Sequence, residues 1–496
     1  MNRRDFLATS GLAIAGLGTA DDRRGCLASL VGGRGRPRPA DVTLRIAPVT
    51  LELAPRQAVR TIGYNGTSPG PLLRMREGVE TTIEVQNDLE YDEIVHWHGQ
   101  LIPAEVDGAS EEGTPPVPAH GRRRYTFTPR PAGTRWYHTH ARAGAHPDRS
   151  LYTGQFGFFY VEPAHEPGQF DREVFLALRE WAPSFTNKSE EEEEAGAGPG
   201  AGAKQEPAPE DDHGKPNGLE VSYRYFSIND RALGHGEPIR VKAGERVMFR
   251  LLNASATESR TLALPGHRFT VLALDGNPVP TPRAVETLDL APAERVDAVV
   301  EMNQPGIWIL GVTHDADRTH GMGVVVEYAG RRGQPVWRKP GNARWDYTAF
   351  GKEGAVPKAP DEQVELVFRK IKGGMGGFNR WLINGKAYPD HPGTIMPPAH
   401  APQIDPIRVH EGGRYRLIFR NQSDDAHPIH LHRHLFELVE VAGRPAAAGV
   451  LKDTVLVPGF SRVAVDFVAD QRGPSLFHCH QQLHQDFGFM TLVEYV

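Results

Sequence analysis

The chain of 496 residues is too long for a single hydrophobic core, and its length favours about three domains. A formal net charge of −6 and a pI near 6.4 argue against a partner of nucleic acid or a charged membrane surface, so we expect small partners. The 53 Gly and 41 Pro favour many short strands and turns over long helices, which predicts an all-β protein.

The first twenty residues, MNRRDFLATSGLAIAGLGTA, resemble a twin-arginine export signal. Arg3 and Arg4 precede a short apolar run and a small-residue site that ends at Ala20. The run is too short to span a bilayer, so we expect no integral membrane span in the mature protein and a periplasmic or secreted, extracellular location. A disordered basic tail is the alternative interpretation.

Cysteine usage excludes a disulfide framework in such an exported protein. Cys26 and Cys479 are the only two cysteines, and Cys26 lies just past the predicted cleavage point. We therefore expect Cys479 to be unpaired.

One pattern occurs three times, as REGVETTIEVQND at 76–88, KAGERVMFRLLNA at 242–254 and HEGGRYRLIFRNQ at 410–422. Each copy has a glycine followed nine residues later by an asparagine. The pairs are Gly78 and Asn87, Gly244 and Asn253, and Gly412 and Asn421. Between them apolar and polar residues alternate with the period of a half-buried strand. A repeat of this spacing is too long for a solenoid and predicts three duplicated β domains.

The domain boundaries follow from these repeats and from changes in composition. We assign 1–40 to the export signal and leader, 41–165 to the first domain, 166–335 to the second and 336–496 to the third. A segment at about 188–218 is rich in Glu, Gly, Ala and Pro, and we predict a disordered insertion there. His213, within it, is expected to be a solvated loop residue.

Four H-x-H pairs occupy matching positions relative to the repeats. HWH begins at His96 and HLH at His430, each nine residues after the repeat asparagine of its domain. HTH begins at His138 and HCH at His478 in two further equivalent stretches. The middle domain has Leu262 and Leu264 in place of the first pair.

An H-x-H pair on a strand presents two imidazoles on one face, because side chains at i and i+2 point the same way. A single pair is weak evidence for a metal, but four pairs in matching positions predict more than one metal at the seam of the outer domains. Imidazole binds Cu, Zn, Fe and Ni, so the histidines alone do not select the metal.

Cys479 does select it. It lies between His478 and His480 and therefore faces away from their cluster. A thiolate with two histidines and a weak axial ligand is the blue-copper arrangement, and His427 and His484 are suitably placed to complete it. A structural zinc site is the competing interpretation, but it would normally close with four ligands.

The first domain provides a comparison for this site. It has Thr139 at the position of Cys479 and Glu93 at the position of His427. Only the third domain can therefore hold a thiolate site.

The motifs HWHG at 96, HTH at 138, HPIHLHRH at 427 and HCHQQLHQDFGFM at 478 resemble those of the three-domain multicopper oxidases, the laccase-like family. The resemblance implies three cupredoxin-like Greek-key β-sandwich or barrel domains and four copper ions. It assigns the type 1 copper to His427, Cys479 and His484, and the type 2 copper to His96 and His430. It assigns the two type 3 coppers to His98, His138, His140, His432, His478 and His480.

The implied reaction is one-electron oxidation of a reducing substrate at the type 1 copper, coupled to four-electron reduction of O₂ to water at the trinuclear cluster. The family's axial position falls on Phe489, which cannot ligate, and Met490 would replace it if the register shifted by one residue. A three-coordinate site favours Cu(I) and predicts a higher potential than a Met-ligated site.

Oxygen reduction consumes protons, and Asp107 matches the acidic residue of the family motif, so we predict that it is catalytic as a proton relay. A turn-capping aspartate is the structural alternative. Many bacterial relatives place an acid directly after the last type 1 histidine, where this chain has Gln485 followed by Asp486. Gln485 cannot donate an acidic proton, so either Asp107 alone supplies the protons or the relay differs from that of these relatives.

We predict laccase-like oxidation of phenols or aromatic amines. A metallo-oxidase for Cu(I), Fe(II) or Mn(II) is the second candidate, although the eight Met form no cluster of the kind that Cu(I) oxidases carry. A copper-free binding scaffold predicts lost ligands, and a two-domain nitrite reductase would lack the full H-C-H set. His146 and His434 are expected to form hydrogen bonds, and the glycine-rich segment 372–381 is expected to be a flexible loop that could border the substrate site.

Overall fold

A computed structural model describes residues 39–164, 169–187, 218–341, 345–388, 405–446 and 448–496. The predicted export signal, Cys26, His213 and all of the predicted insertion except its last residue lie outside these ranges. Within them, no helix combines the length and the apolar character needed to cross a membrane.

The first domain is a sandwich of two four-stranded sheets, with strand orders β2-β1-β4-β6 and β3-β8-β7-β5. Its strands are β1 (Val42–Ala54), β2 (Gln57–Tyr64), β3 (Leu73–Arg76), β4 (Thr81–Asn87), β5 (Val95–His98), β6 (Arg122–Phe127), β7 (Gly133–Thr139) and β8 (Phe156–Glu162). A one-turn helix α1 (Ala104–Asp107) follows β5, and 3-10 turns occur at Ser110–Glu112 and Ser150–Tyr152.

The second domain pairs a sheet ordered β10-β9-β12-β17-β14-β15 with one ordered β11-β19-β18-β13-β16. Its strands are β9 (Arg172–Asn187), β10 (Leu219–Ile228), β11 (Ile239–Val241), β12 (Arg246–Asn253), β13 (Arg260–Ala263), β14 (Phe269–Leu274), β15 (Asn277–Val285), β16 (Thr287–Leu290), β17 (Arg295–Glu301), β18 (Ile307–Val312) and β19 (Gly323–Tyr328). Helix α2 spans Asp315–Thr319, and a 3-10 turn at Tyr347–Phe350 leads into the third domain.

The third domain pairs a sheet ordered β21-β20-β23-β29-β25-β26, with β27 also on β25, with one ordered β22-β31-β30-β24-β28. Its strands are β20 (Glu362–Ile371), β21 (Arg380–Ile383), β22 (Ile407–Val409), β23 (Arg414–Asn421), β24 (His427–Leu431), β25 (Phe436–Val441), β26 (Arg444–Pro445), β27 (Leu451–Lys452), β28 (Thr454–Val457), β29 (Arg462–Val468), β30 (Ser475–Cys479) and β31 (Met490–Tyr495). Helix α3 (Gln482–Asp486) connects the last two strands, and a further 3-10 turn spans Met375–Gly377.

The three sandwiches share one topology. In each, the first long strand pairs in parallel with the repeat strand, as β1 with β4, β9 with β12 and β20 with β23. In the opposite sheet a short strand pairs in parallel with the last strand, as β3 with β8, β11 with β19 and β22 with β31. The predicted all-β fold of three cupredoxin-like domains is therefore confirmed.

The glycine of each repeat occupies the turn before its strand. Gly78, Gly244 and Gly412 have φ of 74°, 83° and 80°, a left-handed conformation that residues with a Cβ adopt only at a cost. The spacing of the repeat therefore encodes a turn followed by a strand of seven or eight residues.

The asparagine of each repeat ends its strand and fastens the loop that follows. Asn87, Asn253 and Asn421 are all buried. Their Oδ1 atoms accept from backbone N–H groups two residues on, at 3.0, 3.0 and 2.9 Å. Their Nδ2 groups donate to backbone carbonyls of that loop and of a distant segment. In the outer domains this loop leads directly to the strand that carries the histidines.

The repeat strands differ in burial, which the alternation alone did not predict. On β23 the apolar residues are buried and the arginines half-exposed, as expected for a half-buried strand. On β12 every residue after Arg246 is buried, because the first domain packs against its outer face. Arg250 on that face pairs with Asp297 at 2.8 Å and donates to Tyr160 of the first domain at 2.9 Å.

We predict that Asn253→Ala lowers the free energy of unfolding by about 2 to 3 kcal/mol, because it leaves buried backbone groups without partners. Asn303→Ala removes an exposed asparagine of the same domain and should change it by less than about 0.5 kcal/mol. Denaturant unfolding of the metal-free variants measures both. Equal effects of the two substitutions would contradict a structural role for the repeat asparagine.

Candidate metal centres

Strand register brings the predicted histidine pairs together. His96 on β5 lies directly opposite His138 on β7, and His430 on β24 lies opposite His478 on β30. The two strand pairs face each other across the interface of the first and third domains. The eight cluster histidines are at most 5% exposed. They are His96, His98, His138, His140, His430, His432, His478 and His480.

Three of these imidazoles converge on one point. His432, His478 and His140 lie close enough to share a metal ion, with donor atoms within 4.8 Å of one another. The Nε2 atom of His478 is 3.1 Å from Nε2 of His432 and 3.5 Å from Nε2 of His140. The three side chains therefore each offer a nitrogen to one common space.

A second group consists of His98, His138 and His480. Nδ1 of His98 is 3.4 Å from Nε2 of His138. The ring of His480 lies 5.1 Å, between centroids, from each of the other two rings. Neither nitrogen of His480 has a hydrogen-bond partner among the described residues.

His96 and His430 form a third group beside these two. Nδ1 of His96 donates to the Asp107 carbonyl at 2.9 Å, and Nδ1 of His430 donates to the Asp453 carbonyl at 2.7 Å. These bonds fix the tautomer, so each Nε2 keeps a lone pair. Both Nε2 atoms are buried and lack a partner within the described chain.

Burial keeps the imidazoles neutral. Desolvation of the charged form lowers the pKa of His98, His138 and His430 well below its usual value, and the neighbouring imidazoles add to the effect. The same direction holds for His140, His427, His432, His478, His480 and His484. Neutral imidazoles are the form that binds a metal.

The predicted thiolate site is also assembled. Sγ of Cys479, a free and fully buried cysteine, lies 3.4 Å from Nδ1 of His484 and 3.7 Å from Nδ1 of His427. The two Nδ1 atoms are 3.0 Å apart. Burial raises the pKa of the Cys479 thiol, so a bound cation is what would hold it as a thiolate. His484 lies on helix α3.

The repeat asparagine orients one of these histidines. Nε2 of His427 lies 2.9 Å from Oγ of Ser423, which itself donates to Oδ1 of Asn421 at 2.8 Å. A donor at Nε2 leaves the lone pair of His427 on Nδ1, toward Cys479. The repeat motif therefore reaches the thiolate site through two hydrogen bonds.

Trp381 was not recognised from the sequence as part of this site. It ends the glycine-rich segment, and its ring lies 3.9 Å from the His484 ring and 5.0 Å from the His427 ring, between centroids. The end of the glycine-rich segment therefore borders the thiolate site.

The structure distinguishes the two axial alternatives. The ring of Phe489 packs 4.7 Å from the His427 ring, whereas Met490 pairs across strands with His478 and packs with Tyr388, Leu476 and Leu492. Because neighbours on a strand face opposite sides, Phe489 lies on the side of the thiolate and Met490 on the other.

Asp107 lies within the histidine cluster and is fully buried. Its Oδ2 is 2.8 Å from Nδ1 of His432 and 3.1 Å from Nδ1 of His96. Glu112, which sequence reasoning missed, lies 3.4 Å from the same nitrogen of His432. The exposed, turn-capping alternative for Asp107 does not fit this position.

Gln485 and Asp486 are both buried on α3. The Asp486 carboxylate accepts from the backbone N–H groups of Ala143 and Gly144 at 3.0 and 2.8 Å, and burial raises its pKa to about 6. It therefore fastens α3 to the first domain. Nδ1 of His434 donates to the His432 carbonyl at 3.0 Å and its Nε2 accepts from Tyr495 Oη at 3.0 Å, as expected of a hydrogen-bonded residue, and His146 is exposed.

In the first domain, the positions equivalent to the thiolate site hold two side chains that form a hydrogen bond with each other. Oγ1 of Thr139, the counterpart of Cys479, donates to Oε2 of Glu93, the counterpart of His427, at 2.7 Å. Both side chains are buried, and desolvation raises the pKa of Glu93 to about 7. This domain has no second thiolate site among the described residues.

The donor set fits copper. Eight imidazoles and one thiolate with two imidazoles are ligands that Cu(I) and Cu(II) accept, and three of the buried imidazoles, those of His96, His430 and His480, have no hydrogen-bond partner for Nε2 among the described residues. A structural zinc site would need four ligands at the cysteine, where three are present in the described chain.

Comparison with known proteins agrees with this geometry. Three sequence-family models, each described as multicopper oxidase, match residues 46–166, 172–328 and 376–496. The chain is 29% identical to multicopper oxidase MmcO of Mycobacterium tuberculosis, over 100% of this chain and 97% of that protein. It is 26% identical to laccase-1 of Fomitopsis schrenkii, over 91% and 86%. The structure of a multicopper oxidase from Campylobacter jejuni, described as a metallo-oxidase, superposes with a TM-score of 0.67 at 22% identity, over 93% of each chain.

We predict that Glu93→Gln removes a pH dependence of stability. The pKa of Glu93 is about 7 when folded and near its ordinary 4.5 when unfolded, so the folded state favours the protonated acid. As the pH rises from the unfolded to the folded pKa, the free energy of unfolding of the wild type should fall relative to that of Glu93→Gln by about 3 kcal/mol in total. Outside that pH interval the difference between the two proteins should be constant.

Denaturant unfolding of the metal-free proteins between about pH 4 and pH 8.5 brackets the two pKa values and measures this difference. A difference independent of pH would show that Glu93 titrates alike in both states.

Proposed function

The chain belongs to the multicopper oxidase family, copper-dependent oxidoreductases that use O₂, and from this we propose that it oxidises phenols or aromatic amines at the site of Cys479. The four copper ions would be held by the residues described above. His427, Cys479 and His484 would hold the type 1 copper, and His96 and His430 would hold the type 2 copper. His140, His432 and His478 would hold one type 3 copper, and His98, His138 and His480 the other.

Bound copper supplies one-electron oxidation at the type 1 site and four-electron reduction of O₂ to water at the trinuclear cluster. The observation that carries the proposal is the position of Cys479. Its thiol lies in one site while its neighbours in the chain, His478 and His480, lie in the other. The backbone of β30 thus joins the electron-accepting site to the oxygen-reducing site through covalent bonds.

The protein residues around the cluster position the ligands and exclude water. Backbone carbonyls fix the tautomers of His96 and His430, and burial keeps the imidazole of His430 neutral. Asp107 remains the predicted proton relay, and its contacts with His96 and His432 support that role.

An aromatic surface beside helix α3 favours an aromatic donor. Phe487, three residues after His484, stacks on Phe378 at 4.3 Å, and Phe378 meets Phe185 of the second domain at 5.0 Å. Phe185 and Phe487 are partly exposed. Stacking with such rings suits a phenol or an aromatic amine.

Oxidation of Cu(I), Fe(II) or Mn(II) is the second candidate. Asp424 and Asp425 lie in the loop before His427, and carboxylates bind such cations. Both are engaged by Lys370, at 2.6 and 2.7 Å, which neutralises part of their charge. This pairing favours the aromatic donor over the metal ion.

The export expectation is part of this proposal. Arg3 and Arg4 with the apolar run after them support transport of the folded protein by the twin-arginine pathway to the periplasm or outside the cell.

We predict that the copper-loaded protein has about four coppers per chain and an intense thiolate-to-Cu(II) band near roughly 600 nm. Cys479→Ser should abolish the band and leave about three coppers per chain, because only the type 1 site loses its thiolate. Thr139→Ser, at the equivalent position of the first domain, is the control and should keep the band. A fully loaded wild type without the band would refute the type 1 assignment.

We predict that Phe185→Ala raises KM for a phenolic substrate by about 2- to 12-fold, because an aromatic contact contributes about 0.5 to 1.5 kcal/mol. KM for Fe(II) should not change. Phe170→Ala is the matched control, because Phe170 lies just before the first residue of β9 whereas Phe185 lies near its last. It should leave KM for the phenol and KM for Fe(II) unchanged. An unaltered KM for phenols with an intact blue band would place the donor elsewhere.

A further inference from the structure

We propose that Asp453, held by Arg295 of the middle domain, is a positioning residue for the copper cluster. The proposal rests on the ligand assignment above. It gives the middle domain, which contributes none of the proposed ligands, a direct part in shaping the oxygen-reducing site.

Asp453 contacts ligands from both outer domains. Its Oδ1 accepts from Nε2 of His98, of the first domain, at 3.1 Å. Its backbone carbonyl accepts from Nδ1 of His430, of the third domain, at 2.7 Å. The neighbouring Thr454 hydroxyl lies 3.3 and 3.4 Å from the same two nitrogens. All four side chains are fully buried.

The carboxylate determines which nitrogen of His98 faces the metal. A proton on Nε2, donated to Asp453, leaves the lone pair on Nδ1, the atom that points toward His138. His98 therefore differs from His96 and His430, whose Nε2 atoms face the cluster. Loss of the carboxylate would leave the His98 ring free to rotate or change tautomer.

A buried carboxylate is stable only with a partner, and the middle domain supplies it. Arg295 donates to Asp453 through both guanidinium arms, Nη1 to Oδ1 at 2.8 Å and Nη2 to Oδ2 at 2.5 Å. Arg295 is in turn held by the carbonyls of Ala293 and Asp275 at 2.9 and 3.1 Å. The two parallel hydrogen bonds hold the carboxylate in one plane, and the guanidinium balances its negative charge.

The middle domain also fixes the backbone of Asp453. The carboxylate of Asp275 accepts from the N–H groups of Asp453 and Thr454 at 3.3 and 3.2 Å and pairs with Lys452 at 2.9 Å. Lys452 pairs further with Glu294 at 3.2 Å. Both the side chain and the main chain that face the histidines are thus set by second-domain residues.

The close packing of this assembly explains a glycine of the first motif. Gly99 of HWHG has φ of 82°, and a Cβ there would lie 2.6 Å from Oδ2 of Asp453 and 2.9 Å from Nη2 of Arg295. The chain can carry His98 past the Asp453–Arg295 pair only without a side chain at the next residue.

Asp453→Asn tests the proposal because it keeps the side-chain shape and removes the charge. We expect copper affinity at the cluster to fall by about 10- to 100-fold, as for other residues that orient metal ligands, with a changed EPR spectrum of the cluster and an intact blue band. Arg295→Gln should have the same effect. Copper affinity is measured by chelator competition and EPR, so catalytic turnover is not needed.

Arg260→Gln is the matched control. Arg260 forms a buried ion pair with Glu180 at 2.8 Å, and a second pair with Asp317, inside the middle domain. Its loss should lower thermal stability without changing copper affinity or the EPR spectrum. A folded Asp453→Asn that matched this control, with wild-type affinity and EPR, would overturn the positioning role.

Thr454→Val keeps every charge of the network and covers the case in which the charge variants do not fold. It should alter the EPR signal in the same direction and weaken copper binding, and wild-type values would overturn the proposal. Absence of the blue band in the wild type would instead refute the proposed type 1 site, so the two failures are distinguishable.

Discussion

The alternation of side chains along β30 is the constraint on which the rest of the structure depends. His478 and Cys479 end β30 and His480 follows directly, and these three consecutive residues serve two sites because neighbours along an extended chain face opposite sides. Cys479 faces the core of the third domain with His427 and His484, and the flanking histidines face the first domain. The interval between the two sites is therefore set by the backbone. A one-residue slip of β30 would move the thiol into the cluster and both imidazoles into the core.

The histidine cluster also requires that many imidazoles stay uncharged out of water. Burial lowers the pKa values of His138, His432 and His478, but a neutral imidazole still has one N–H that needs an acceptor. Backbone carbonyls accept from Nδ1 of His96, His138, His430 and His478. Carboxylates from Asp107 and Asp453 face His432 and His98. The fold thus presents lone pairs inward without placing a charged histidine in the core.

Local features of this arrangement were predictable from the sequence, and long-range ones were not. The repeat glycines and asparagines indicated turns and strand ends, and the spacing from Asn87 to His96 predicted that the histidine strands are equivalent. The motif spacing already placed Phe489 rather than Met490 at the axial position, whereas the pairing of Met490 with His478 across β31 and β30 is a contact that no local pattern encodes. Asp453 and Arg295 are 158 residues apart, and Asp453 and His98 are 355 residues apart, so nothing in either local stretch indicated their contact.

The three domains therefore share one backbone topology but have different side chains in their interiors. His96 pairs with His138 in the first domain and His430 with His478 in the third, whereas Leu262 pairs with Val312 at the same place in the second. The leucine and valine join an apolar core, so the second domain can be rigid there without a metal. That rigidity matters because Arg295 leaves this domain to reach Asp453 beside the cluster. A guanidinium orients a partner only if the residues that hold the guanidinium are themselves fixed. In the second domain an apolar core fixes them, so their positions do not depend on a bound metal.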